Sequence, residues 1–110
     1  MIGEAYINLR GTIVAEPELI QTKNDKSLLK LRVAVNEKVG DEIKASFFNV
    51  VSWRETLNDK LMQIGMSGKN VAIRGTISME QWEKDGHKFK DYPINLERLG
   101  FLDKKSEENS

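Results

Sequence analysis

Three aromatic residues stand where a strand's alternation should leave polar side chains. Across residues 43–53, Ala45, Phe47, Asn49, Val51 and Trp53 fall on one face, while Phe48 and Val50 fall on the other. Both faces therefore hold aromatic rings, and only one of them can meet a core. Phe48 and Val50 are assigned to that core, which leaves an apolar surface on the Phe47 and Trp53 side to be explained. Trp82 shares its parity with Arg74, Thr76, Ser78 and Glu80, where a core ring would be misplaced. A ring exposed in this way offers its π-face to any flat partner. Cations accompany the rings: Arg10, Lys30, Arg32 and Arg74 at outward strand positions, and Lys84, Lys88 and Lys90 on a hairpin. Taken singly, each lysine is an ordinary solvated strand charge. Taken with the rings, they suit a ligand that is both flat and anionic.

Other chemistries find little support. The chain has no cysteine, which excludes disulfides, thiolate nucleophiles and cysteine-ligated zinc. Its one histidine, His87, sits in a turn with no second imidazole to complete a usual zinc site. Ser46, Ser52 and Ser78 lack a histidine base at any plausible strand position, and no glycine-rich phosphate loop precedes a helix. The sequence points to a binding protein with no cofactor, no metal and no catalytic residues.

The elements that must position these residues can be read from periodicity. From Ala5 to Val14, Ile7, Leu9 and Ile13 alternate with Asn8, Arg10 and Thr12, a half-buried strand interrupted by Gly11. A short segment follows at Leu19–Thr22, then a polar turn at Lys23–Ser27. A second long strand runs from about Leu28 to Glu37, with Leu29, Leu31, Val33 and Val35 inward and Lys30, Arg32, Ala34 and Asn36 outward. The third strand is Ile43–Trp53. Leu57, Leu61 and Ile64 fall at helical spacing over 55–64, and Gly65 and Gly68 mark the stop.

A fourth strand is expected over Asn70–Trp82, with Val71, Ile73, Ile77 and Met79 inward and a break at Gly75. Lys84-Asp85-Gly86-His87 is a hairpin signal, and Lys88–Leu99 is expected as the fifth strand, with Ile94 and Leu96 in the core. Glycines inside the first and fourth strands are the usual means of bending a sheet into a barrel. The predicted architecture is all-β with one short helix: a five-stranded OB-fold barrel, ordered as three strands, a helix and a closing hairpin.

Composition bounds this reading without deciding it. The chain has 110 residues, 39% of them hydrophobic, enough for one small domain. Seventeen basic residues balance 17 acidic ones, so any ligand-binding charge must be local to one face. Residues 103–110, Asp-Lys-Lys-Ser-Glu-Glu-Asn-Ser, are polar and non-periodic and are expected as a short disordered tail. Without them, 15 basic and 14 acidic residues remain in the barrel domain, residues 1–102. With no basic, apolar leader and no run of membrane-spanning length, a cytoplasmic address and no membrane partner are expected.

Several fragments, weak singly, become specific as an ordered set: Tyr6-Ile7-Asn8-Leu9-Arg10-Gly11-Thr12-Ile13, Glu16-Pro17-Glu18-Leu19, Leu31-Arg32-Val33-Ala34-Val35-Asn36, Phe47-Phe48-Asn49-Val50-Val51-Ser52-Trp53, and Gly68-Lys69-Asn70-Val71-Ala72-Ile73-Arg74-Gly75. In this order and spacing, over residues 4–102, the chain resembles the bacterial single-stranded DNA-binding protein family. The resemblance implies sequence-independent binding of single-stranded DNA in replication, recombination and repair, on the nucleoid. It places the family's stacking aromatics on Phe47, Trp53 and Trp82. Stacked bases contribute ~1–3 kcal/mol each whatever the sequence, and Arg10, Lys30, Arg32, Arg74, Lys84 and Lys88 are the expected phosphate contacts. It also implies a homo-oligomer, a tetramer or a dimer, for which the outward row of Tyr6, Asn8 and Arg10 on the first strand offers an edge.

The chain departs from the family in three places. Lys38-Val39-Gly40 stands where members commonly carry a further aromatic. Asn49, Glu55, Ser67 and Glu80 replace residues that are often basic. Glu107-Glu108-Asn109-Ser110 has the acids of the family's tail tip but not its apolar pair, so the resemblance leaves recruitment of replication and repair proteins open. Two other readings stay open: a primosome-like OB module that meets protein, and an RNA-binding OB domain.

Overall fold

The computed structural model describes residues 1–102, and the expected polar tail, 103–110, lies outside them. Its elements are β1 (Tyr6–Ile13), β2 (Glu18–Gln21), β3 (Ser27–Val39), β4 (Glu42–Ser52), α1 (Glu55–Ile64), β5 (Asn70–Ile77), β6 (Glu80–Lys84), β7 (His87–Asp91) and β8 (Ile94–Phe101). One sheet runs β1-β5-β8-β4-β3-β2, and a further β1–β3 pairing closes it. The result is a closed barrel of five strands, with β2 carried on the edge of β3, and it bears out the expected OB architecture.

The alternation read from the sequence explains the core. Ile13, Leu29, Leu31, Val33, Val50, Val71, Ile73, Ile94 and Leu96 are buried inside the barrel. Phe48 is partly buried and packs against this cluster, together with Ile7, Val35 and Ile77. Ala34 lies at an outward position but is buried, because β1 crosses over it at the Thr12↔Ala34 pair.

Gly11 and Gly75 sit where two backbones approach too closely for a side chain. A Cβ on Gly11 would collide with the Ala34 carbonyl oxygen and the Val33 side chain. That is the point at which β1 leaves β5 for β3. A Cβ on Gly75 would meet the Asn95 carbonyl oxygen and the Ile94 side chain. There the β5–β8 register slips between Arg74 and Gly75, so that Arg74 pairs with Arg98 but Gly75 with Leu96. Glu97 is the extra residue of that bulge.

Helix α1 occupies the predicted span and ends at Gly65, whose φ of 77 suits glycine. Leu61 joins the core, and the fully buried Asn58 fastens the helix to two strand ends. Its amide nitrogen donates to the Ser52 carbonyl at 3.0 Å and the Ser27 carbonyl at 3.3 Å. On the far side of the helix, the Glu16 carboxylate accepts from the Met66 and Ser67 backbone N–H groups at 3.0 and 3.1 Å, which seats Met66 in the core.

The fourth and fifth strands are corrected. The single run expected over Asn70–Trp82 stops at Ile77, and the run expected over Lys88–Leu99 is divided around Pro93. Proline has no N–H to offer a ladder, so pairing is interrupted there. Residues 80–91 leave the barrel as a separate two-stranded ribbon, β6–β7. Counting parity through that break places Met79 inward; it is exposed.

Candidate nucleic-acid interface

The β3–β4 pair presents the first part of the site. Its register matches Lys30 with Val51, Arg32 with Asn49, Ala34 with Phe47, Asn36 with Ala45 and Lys38 with Ile43. Paired residues of an antiparallel ladder share a face. The outer face of these two strands therefore carries Lys30, Arg32 and Lys38 beside Ile43, Phe47 and Val51 and no carboxylate of their own, while Glu18 of β2 pairs with Lys30 at its margin. The carboxylates of these strands, Glu37 and Glu42, lie on the opposite parity, where Glu37 faces Lys44. A chain with balanced total charge thus separates its charges across one ribbon.

Phe47 and Trp53 emerge on this cationic face, 53% and 49% exposed, with Trp53 one residue beyond the end of β4. The Arg32 guanidinium lies 4.8 Å from the centroid of the Phe47 ring, a cation–π contact that fixes both groups. Lys30 and Trp53 line a cleft of about 430 Å³ with Asn49 and Val51, and its far wall is the base of the β6–β7 ribbon, at Ser78, Glu80 and Asp91. Glu80 and Asp91 are directly opposite one another. Their carboxylates make that wall acidic, so an anionic chain is favoured on the β3 side of the cleft.

The β6–β7 ribbon carries the third ring. Asp85 and Gly86, both at positive φ (52 and 80), form its two-residue turn and set Lys84 opposite His87. Counting back places Trp82 opposite Phe89, and their rings stack at 5.7 Å with 18° between planes. Trp82 remains 48% exposed. Phe89 was not among the expected site residues, although the Asp-Gly turn signal implies this pairing. Lys84 shares the aromatic parity. Lys88 pairs with Glu83 and Lys90 with Gln81 on the other face, so neither lysine is brought to the rings.

Arg10 and Arg74 are also placed elsewhere. They lie on the outer face of β1, β5 and β8, in a concavity they share with Arg98, which the sequence reading missed. Arg74 is already engaged there: its guanidinium stands 5.0 Å from the Tyr6 ring centroid and 3.9 Å from the Glu97 carboxylate. The Tyr6 hydroxyl donates to Glu4, and this bond to a carboxylate holds the exposed phenol in its neutral form and raises its pKa. The expected residues thus form two groups, Lys30, Arg32, Phe47 and Trp53 with the Trp82 ribbon, and Arg74 with Arg10 on β5 and β1; Arg10 also lines a hollow with Thr12, Ala34 and Asn36 and so adjoins the β3 face. Among the described residues no group of histidines and carboxylates could hold a metal ion.

Comparison with known proteins gives concordant matches. The model of the Single-strand binding protein family matches residues 6–102. The "Single-stranded DNA-binding protein 2" of Streptococcus agalactiae serotype V is 37% identical over 79 residues, covering 69% of this chain and 60% of the relative's length. The matched stretch thus spans less than two thirds of that relative. Among solved structures, a Plasmodium falciparum SSB in complex with ssDNA superposes with a TM-score of 0.84 at 20% identity, covering 94% of this chain and 98% of that one. A small single-stranded DNA-binding protein from Streptomyces coelicolor gives 0.74 at 19% identity, covering 91% and 95%.

Proposed function

Because the chain belongs to the Single-strand binding protein family, we propose that it binds single-stranded DNA without regard to sequence. Bases stack on Phe47, Trp53 and Trp82, and the phosphates pass Lys30, Arg32 and Lys84. The observation that carries this reading is the segregation of charge on the β3–β4 ribbon, whose two strands put rings and cations on one face and their own carboxylates, Glu37 and Glu42, on the other. Stacking contributes ~1–3 kcal/mol per base and is indifferent to base identity. Cations that displace counterions from the phosphates add a salt-dependent term. Nothing in this mode requires a bond to be made or broken. The protein acts as a non-enzymatic cover for strands exposed in replication, recombination and repair, in the cytoplasm and on the nucleoid.

Arg10 and Arg74 take a second place in this scheme, as contacts for a strand that continues around the barrel or for a neighbouring subunit. Strand β1 supports the subunit role: along Tyr6–Arg10 it pairs only with β5, which leaves its other edge open to a second copy. A dimer or tetramer wrapped by one strand gains affinity through effective concentration.

The test is a titration of intrinsic fluorescence with oligo-dT. The only two tryptophans are Trp53 and Trp82, so stacking should quench most of the signal. A flat trace would overturn the proposal. Equal or tighter binding of oligo-U would move the ligand from DNA to RNA.

A further inference from the structure

The cleft between Trp53 and the β6–β7 ribbon holds two carboxylates that a phosphate path does not need. Glu80 and Asp91 are cross-strand neighbours, so they share the ribbon face that carries Trp82 and Phe89 two residues further out. A strand stacked on both Trp53 and Trp82 therefore passes over them. Like charges set directly opposite on a ladder are destabilising, and the fold gains nothing visible in return. The foot of the ribbon is held by the Ser78 N–H, which donates to the Pro93 carbonyl at 3.3 Å. One oxygen of Asp91 accepts from the Tyr92 backbone N–H at 2.9 Å, which leaves the other oxygen open. Glu80 is exposed, and among the described residues neither carboxylate is paired with a cation.

We propose that Glu80 and Asp91 read the Watson–Crick edge of one base in this cleft and favour bases with an amino donor, guanine first, over thymine. The inference rests on the single-stranded DNA reading above and makes one position of an otherwise indifferent path selective. Lys30 lines the opposite wall and holds the phosphate there, away from the acids. With the backbone on the Lys30 side and the ring on Trp53, the base points its far edge, opposite the bond to the sugar, at the ribbon. An ionised carboxylate only accepts hydrogen bonds. Guanine presents two adjacent donors on this edge, N1–H and the N2 amino group, which match the two oxygens of one carboxylate. Cytosine presents one amino donor, at N4, the group that Asp and Glu accept from. Thymine sets its N3–H between two carbonyl oxygens, which a pair of carboxylates repels. Asn49, Ser78 and Asn95 also line the cleft, but each donates as well as accepts and so suits any base. Glu80 is one of the positions at which the chain departs from its family, so the selectivity is a feature of this chain.

The experiment titrates the full chain by calorimetry with an oligo-dT of about eight nucleotides, and with the same strand carrying one central dG, dC or deoxyinosine. A single substitution keeps the strand unstructured. The dG strand should bind at least about fivefold tighter than oligo-dT, and the dC strand by a smaller factor. Deoxyinosine keeps N1–H but lacks the N2 amino group, so it should fall between dG and dT. Glu80→Gln and Asp91→Asn remove a negative charge with little change of shape. Each should tighten oligo-dT and bring the dG strand to within about twofold of it. Equal affinity of the parent for all four strands would overturn the inference. So would variants that tighten on every strand by one common factor, since the acids would then act only as charge beside the phosphates. Trp53→Ala should weaken all four strands. If the parent binds none of them, the DNA-binding reading itself fails. Unchanged circular dichroism will exclude misfolding of the variants.

Discussion

Trp82 is covered by Phe89 on one side, which leaves the other side for a ligand. Replacing Trp82 with alanine should cost ~1–3 kcal/mol of binding, the usual worth of one stacked base. Phe89→Ala should cost less, since the indole remains but loses the ring that orients it. Titration of both variants with oligo-dT checks the order, and a loss for Phe89→Ala greater than for Trp82→Ala would show that Phe89 is itself the contact. These residues also show what parity can reveal. Phe47 and Trp53 were legible because alternation on β4 is unbroken from the core outward. Phe89 was overlooked although the Asp85-Gly86 turn fixes its partner. Arg10 and Arg74 were correctly read as outward, but in a closed barrel outward has many directions, and alternation does not say which side of the cylinder a residue occupies.

At the scale of elements, the helix and the first three long strands follow from local pattern, within a residue or two at their ends. The error lay in treating residues 70–82 and 88–99 as two uninterrupted strands. Pro93 was the available signal. The tertiary pairing of β4 with β8, at Val50↔Ile94 and Val51↔Asn95, is parallel and far apart in sequence, so Pro93 marks the break but no local feature shows what the strand beyond it pairs with. The glycines are the sharper test. Gly75→Ala sets a methyl against the Asn95 carbonyl oxygen and should lower stability by about 1–3 kcal/mol, as overpacking of a tight contact does. Gly11→Ala should behave alike at the Ala34 crossing. Chemical denaturation measures both, and unaltered midpoints would mean that the backbones move apart without penalty.

For the whole molecule, the balance of charge and the open β1 edge concern assembly more than fold. Light scattering at micromolar concentration should give the mass of a dimer or tetramer. A monomer that still binds long oligo-dT tightly would remove wrapping from the account and leave stacking intact. The same edge strand has another consequence, one of timing. β1 pairs along its length with β5, so that Tyr6 meets Thr76, and β5 in turn pairs with β8 out to Phe101. During synthesis β1 must therefore wait, unpartnered on that side, until β5 has been made. Closing such loops precedes any reward from the contacts, which puts folding in the slow range of milliseconds to seconds, as for other small barrels. A nascent chain halted before β5 would hold β1 to the sheet only at Thr12 and Ile13, and factors that shield emerging chains have their clearest target in the rest of that strand.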